Sequence, residues 1–339
     1  MKVERDFRYT YAATRIRCLE KELLPLSFFH RLIGASSLSE VRKILEETVY
    51  GIREGEEFDV LWERESRRTL SIVKDVLPNK RLKDFFSYSY DIFNLKVLLK
   101  NKLLAKRGMK KNWDILVDMG TVPVDKMISI VENEQYVYLP FHKKDSVYII
   151  WDLLDRMEKA ELDTKFVDLF LDKLYFNFML NEAREMGESF LVEYIKLLID
   201  LTNIMTFFRA KFAGRSKSFL SDVLISGGFV DEDRLVDVYQ DNLDSFVKVL
   251  HYSPYSGLVE KMAALFEQGQ DLASLEKLKD NYLIETLKNC KFVMFGIQPI
   301  VAFMVAKDME IKNLRIVITG KQAGLSEGIL KERLRYVYV

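Results

Sequence analysis

The side chains able to do chemistry are few and scattered. His30, His142 and His251 stand alone, none with the spacing of a metal or acid–base site. Cys18 and Cys290 lie far apart and ask for no more than small side chains in a reduced environment. Thr319-Gly320-Lys321 has the ending of a phosphate loop. The first glycine of that pattern is missing, Gln322 replaces the hydroxyl, and a helical rather than a strand pattern precedes it, so nucleotide binding is not expected. Gly227-Gly228 reads as a turn. No catalytic residue, cofactor site or metal site follows from the sequence.

One constellation does recur. Asp91-Ile-Phe-Asn94-Leu95, Asp200-Leu-Thr-Asn203-Ile204 and Glu310-Ile-Lys-Asn313-Leu314-Arg315 each place an acid three residues before an asparagine, an apolar residue after it, and a lysine eight residues on, at Lys102, Lys211 and Lys321. The asparagines are 109 and 110 residues apart. Four residue types kept in register over such intervals mark an internal repeat. Asparagine is a poor residue inside a helix, so three such placements need compensation. The expected role is structural, each amide hydrogen-bonding a neighbouring helix within its module. Cations cluster around the motifs: Lys96, Lys100, Lys102, Lys106 and Arg107; Arg209, Lys211, Arg215 and Lys217; Lys307, Lys312, Arg315 and Lys321. They complement helix C-termini, or they form a docking surface for an acidic partner, for which Lys102, Lys211, Lys321, Arg107, Arg209 and Arg315 are the candidates.

The elements that carry these motifs read as helices. Phe7 to Leu24 has Ala12, Ile16, Leu19 and Leu23 on one stripe, with Pro25 ending it. Ser37-Leu-Ser-Glu40 has the form of a capping box, and Tyr50-Gly51 closes the helix that follows. The same phrase returns from Asn242 to Gly257, with its counterpart in the middle of the chain placed around Ser146 to Leu154 by apolar pattern. Leu116 to Gly120 and Leu224 to Gly228 are turns before charged helix starts at Asp125 and Asp231. The six prolines fall mostly between periodic segments. Tyr136 to Leu139 and Tyr336 to Val339 are the sole strand-like runs, and Phe166, Phe170, Leu174 and Phe178 read as core. The chain is expected to be all-α, in three similar helical modules at 1–112, 113–218 and 219–339.

Composition sets the class. Among 339 residues, 49% are hydrophobic and 30% charged, with 51 cations balancing 51 anions. That is a globular profile without the basic footprint of a nucleic-acid binder. Charge at Met1-Lys-Val-Glu-Arg-Asp excludes a signal peptide there, so a cytoplasmic location is expected. The most apolar run, Phe292 to Ala306, is too short for a membrane span of ~20 residues and reads as a buried helix.

The opening Tyr9-Thr-Tyr11-Ala12-Ala13-Thr14-Arg15-Ile16-Arg17, the Tyr50-Gly51 helix end, the three Asn motifs and the closing Asn313-Leu314-Arg315, Gly320-Lys321, Gly324-Leu325 and Glu332-Arg333-Leu334 together resemble the C subunit of the V-type (A-type) ATPases, the family that includes the eukaryotic d subunit. The resemblance covers essentially the whole chain. Ser226 departs from it, standing where the family has proline before two glycines. It implies an all-helical, pseudo-threefold, funnel-shaped protein without an active site or cofactor. Such a protein is a single-copy rotor connector, peripheral on the cytoplasmic face, that joins the central stalk to the membrane proteolipid ring and passes torque between ATP chemistry and H+ or Na+ transport. The alternative is a helical-repeat adaptor for other proteins, although a ~110-residue period exceeds the usual 34 to 47 of such repeats.

Overall fold

The computed structural model describes residues 7–52, 55–106, 108, 113–141, 144–158 and 165–339. Among these residues the regular structure is entirely helical. The first helices are α1 (Thr10–Leu19), α2 (Leu26–Gly34), α3 (Leu38–Glu46), α4 (Phe58–Val76), α5 (Lys80–Phe85) and α6 (Tyr88–Lys106). The middle of the chain adds α7 (Val124–Glu132), α8 (Lys144–Glu158), α9 (Lys165–Glu185), α10 (Ser189–Phe212) and α11 (Lys217–Val223). Then follow α12 (Glu232–Asp237), α13 (Leu243–Leu250), α14 (Ser256–Glu267), α15 (Leu272–Lys288), α16 (Gln298–Gln322) and α17 (Glu327–Arg333).

The chain forms two compact units, Met1–Asn79 with Tyr255–Val339, and Lys80–Pro254. These limits fall inside the first and third sequence modules. In the first unit, Phe29, Leu32, Val41, Leu45, Tyr50, Leu61 and Trp62 from the front of the chain share one core with Ile311, Leu314, Val317 and Ile318 of α16. In the second unit Phe207 of α10 stacks on Phe246 of α13 at 3.9 Å, and Phe178 of α9 meets Tyr88 and Phe141 edge to face. Phe170 and Leu174 are buried as expected, while the side chain of Phe166 lies outside the described residues.

Local sequence explains where the helices begin. Ser37, Ser216, Asn242, Asp271 and Ser326 each accept a backbone N–H of the first turn. The capping box at Ser37 is modified, because Glu40 reaches back to the N–H and Oγ of Ser36, not to Ser37. Asp125 lies in the first turn of α7, as expected, with Pro123 at the N-cap position. The first helix is shorter than its apolar stripe, with 3-10 turns on both sides of α1.

One expectation about the helices is corrected. Phe292 to Ala306 is not one buried helix: α16 starts at Gln298, Pro299 sits in its first turn, and Phe292 and Met294 are exposed. Gly296 at φ 131°, a conformation side-chain-bearing residues rarely adopt, breaks the run. Neither strand-like run pairs, since Tyr136–Tyr138 is a 3-10 turn and the Tyr336 N–H is taken by the Asn281 side chain.

Candidate functional site

Each repeated asparagine is buried on a long helix and makes two hydrogen bonds to one residue further on. Asn94 Nδ2 donates to the Val117 carbonyl at 2.7 Å and its Oδ1 accepts the Val117 N–H at 2.9 Å. Asn203 repeats this with Ile225 at 2.7 and 2.9 Å, and Asn313 with Arg335 at 3.0 and 2.9 Å. The gripped residue lies 23, 22 and 22 positions later. It belongs to non-helical chain, not to a neighbouring helix as the sequence suggested. A side-chain amide has the donor and acceptor needed to replace the missing backbone partner of such a segment.

The acid one turn earlier holds the chain that leads into a later helix. Asp91 accepts the N–H groups of Thr121 and Val122, just before the Pro123 cap of α7, along with the Thr121 hydroxyl. Asp200 accepts those of Phe229 and Val230, just before the Asp231 cap of α12. A Cβ at Gly120 or Gly228 would run into the Oδ1 of Asp91 or Asp200, which is why both turns carry glycine at that point.

In the third copy the corresponding contact is made by the front of the chain. Glu310 Oε2 accepts the Leu24 N–H at 2.5 Å, and Pro25 caps α2 as Pro123 caps α7. Here the acid is a glutamate inside an ionic cluster. Its Oε1 accepts from Lys307 Nζ and the Tyr50 hydroxyl, both at 2.6 Å, and Lys307 also pairs with Glu65 at 2.8 Å. Glu65, Lys307 and Glu310 are 2 to 4% exposed. Burial together with the neighbouring Glu310 carboxylate raises the Tyr50 phenol well above its usual pKa, fixing it as a donor. Arg68 at 3.0 Å from Glu65 balances the second carboxylate.

The repeated lysines complete the grip. Lys102 Nζ donates to the Val131 carbonyl near the end of α7 and pairs with Glu134, Lys211 Nζ donates to the Asp241 carbonyl beyond α12, and Lys321 Nζ donates to the Ala35 carbonyl at the end of α2. The acid and the ammonium of each copy therefore hold one helix at its two ends. Burial lowers the pKa of Lys211. Of the other candidate cations, Arg209 and Arg315 are exposed, Arg315 lying over the Trp62 ring at 5.9 Å, and Arg107 lies outside the described residues.

The arrangement holds backbone. Among the described residues no group of three His, Cys, Asp or Glu side chains can hold a metal, His30 and His251 are exposed, and His142 lies outside them. Burial pushes the Cys290 thiol up to about 12, away from thiolate chemistry. Thr319 to Lys321 is the last turn of α16, not a phosphate loop. Sequence reasoning misses Glu65, Lys307 and Tyr50 as parts of the site. The signals available for them are Glu in place of Asp in the third copy and a lysine directly after an apolar run.

The family profile described as ATP synthase (C/AC39) subunit matches residues 12–333. The C subunit of the V-type sodium ATPase of Enterococcus hirae is 30% identical over 332 residues, covering 95% of this chain and 97% of its own. The C subunits of the A-type ATP synthases of Methanosarcina acetivorans and Thermococcus kodakarensis are each 25% identical, covering 96% of this chain and 92% and 89% of theirs.

Proposed function

Because this chain belongs to the ATP synthase (C/AC39) subunit family, we propose that it is the non-catalytic connector of a rotary V/A-type ATPase rotor. In this reading one copy joins the central stalk to the membrane proteolipid ring on the cytoplasmic face and carries torque between ATP hydrolysis or synthesis and ion transport. The three modules at 1–112, 113–218 and 219–339 stand about a pseudo-threefold axis as a funnel. The observation that carries the reading is the clamp found three times, at Asn94, Asn203 and Asn313. A part that transmits torque has to resist twisting where its modules join. Paired, buried hydrogen bonds between side chain and backbone are directional and stiff in a way that a linker is not.

Among the described residues no helix is long and apolar enough to cross a membrane. For docking to an acidic stalk surface the exposed Arg209 and Arg315 act directly. Lys102, Lys211 and Lys321 act through the joints they hold.

The test is binding of the purified chain to the isolated two-subunit central stalk and to the proteolipid ring. Stable one-to-one capture by both is expected. Binding to neither sinks the proposal, and nucleotide hydrolysis by the isolated chain contradicts its non-catalytic part.

A further inference from the structure

The loop between α15 and α16 presents what composition would hide. Phe292 is 84% exposed and Met294 74%, while Val293 between them is buried and extended (φ −89°, ψ 118°). Alternation along extended chain sends the two large side chains out on one side. Beside the loop, Phe7 and Tyr11, one helical turn apart, are 69% and 66% exposed, and the Phe7 ring lies 5.2 Å from that of Phe295. The support is built: the Arg17 guanidinium on α1 donates to the carbonyls of Cys290 and Val293, the latter at 2.9 Å, fixing the loop to the helix.

Charge in the same segments indicates the kind of cover. Arg8, Arg15, Arg17, Lys21, Lys288 and Lys291 outnumber Glu20, Glu22 and Glu285 there, in a chain whose total charge is zero. Those three carboxylates pair with Arg17, Arg68 and Lys288. Aromatic and methionine side chains that project singly can enter a soft phase without a matching cavity. Lysine and arginine beside them attract anionic headgroups.

We propose that the face made by α1 and residues 291–296 rests on the headgroup layer of an anionic membrane, Phe292 and Met294 entering it and Lys21 and Lys291, which those carboxylates leave over, pairing with lipid phosphates. This rests on the placement proposed above and adds an orientation to it. Because it is tested on the isolated chain, its failure leaves that placement standing.

The experiment is co-sedimentation of the full chain with phosphatidylcholine vesicles, with and without phosphatidylglycerol. Binding is expected only with phosphatidylglycerol and weakens as salt rises. The Phe292→Ser/Met294→Ser variant is expected to lose about tenfold or more in partition, and Lys21→Glu/Lys291→Glu to lose the preference for anionic lipid, each with an unchanged circular dichroism spectrum. No binding of the wild type to phosphatidylglycerol vesicles at low salt overturns the proposal, as does equal binding by the Phe292→Ser/Met294→Ser variant. If the wild type ignores vesicles and that variant instead loses capture of the proteolipid ring, the patch belongs to a protein partner and the proposal is likewise overturned.

Discussion

Glu310 and the Leu24 N–H are 286 residues apart in sequence and 2.5 Å apart in space. That bond makes the last copy of the repeat hold the front of the chain, as the earlier copies hold the segments that follow them. At Asp91 and Asp200 a short run of chain tethers the gripped helix nearby. At Glu310 the tether is nearly the whole chain, and the ionic cluster with Lys307, Glu65 and Tyr50 is added.

The ammonium of Lys307 is therefore the side chain whose loss costs most at this joint. Lys307→Met leaves the nearly unexposed Glu310 carboxylate without its cation and Glu65 with Arg68 alone. It should destabilise by about 3–5 kcal/mol, against about 1–2 kcal/mol for Glu310→Gln, which keeps an acceptor in place. Urea unfolding of the two variants compares them, and equal losses would remove the special role of the ion cluster.

The three asparagines do the same work and should respond alike. Asn94→Ala, Asn203→Ala and Asn313→Ala each strand one N–H and one carbonyl, for about 2–3 kcal/mol apiece. Denaturation midpoints check this. A silent substitution at any one position would show that its pair of bonds is not stabilising.

Gly228 and Asp200 form a pair suited to a double-mutant cycle. Gly228→Ala should be severely destabilising beside Asp200 and much milder in an Asp200→Ala background, where the obstructing carboxylate is gone. Additive losses would mean that the close approach is not what requires glycine.

Stability also carries a defined pH dependence at the start of α15. Asp271 accepts the Ser274 hydroxyl and N–H, and these bonds lower its pKa from the usual 3.8. A depressed carboxylate pKa contributes stability that is complete above the unfolded value and lost as pH falls through the folded one. Asp271→Ala should cost about 1 kcal/mol at neutral pH. The difference from wild type should shrink below pH ~4, as followed by thermal unfolding across pH.

The repeat is legible in sequence because Asp91, Asn94 and Lys102 recur as residue types at fixed spacing, and helical character because apolar stripes such as Ala12 and Ile16 recur at helical spacing. The partners are not legible. Val117, Ile225 and Arg335 are bonded through backbone atoms, so they share no side-chain type for a pattern to show. Leu24 is reached only because the front of the chain packs on α16, which no local window contains. Glu65 and Lys307 read as ordinary charges, and only their mutual pairing makes their burial tolerable. Phe292 and Met294 read as core on hydrophobicity alone, which says nothing about which side of a break they fall on.

The connector role is tested most directly by coupling in the assembled ATPase. Membrane-bound complex prepared without this chain should show no ATP-driven ion uptake, and adding the purified chain should restore it, less so with Lys307→Met. Full ion uptake in its absence would contradict that role.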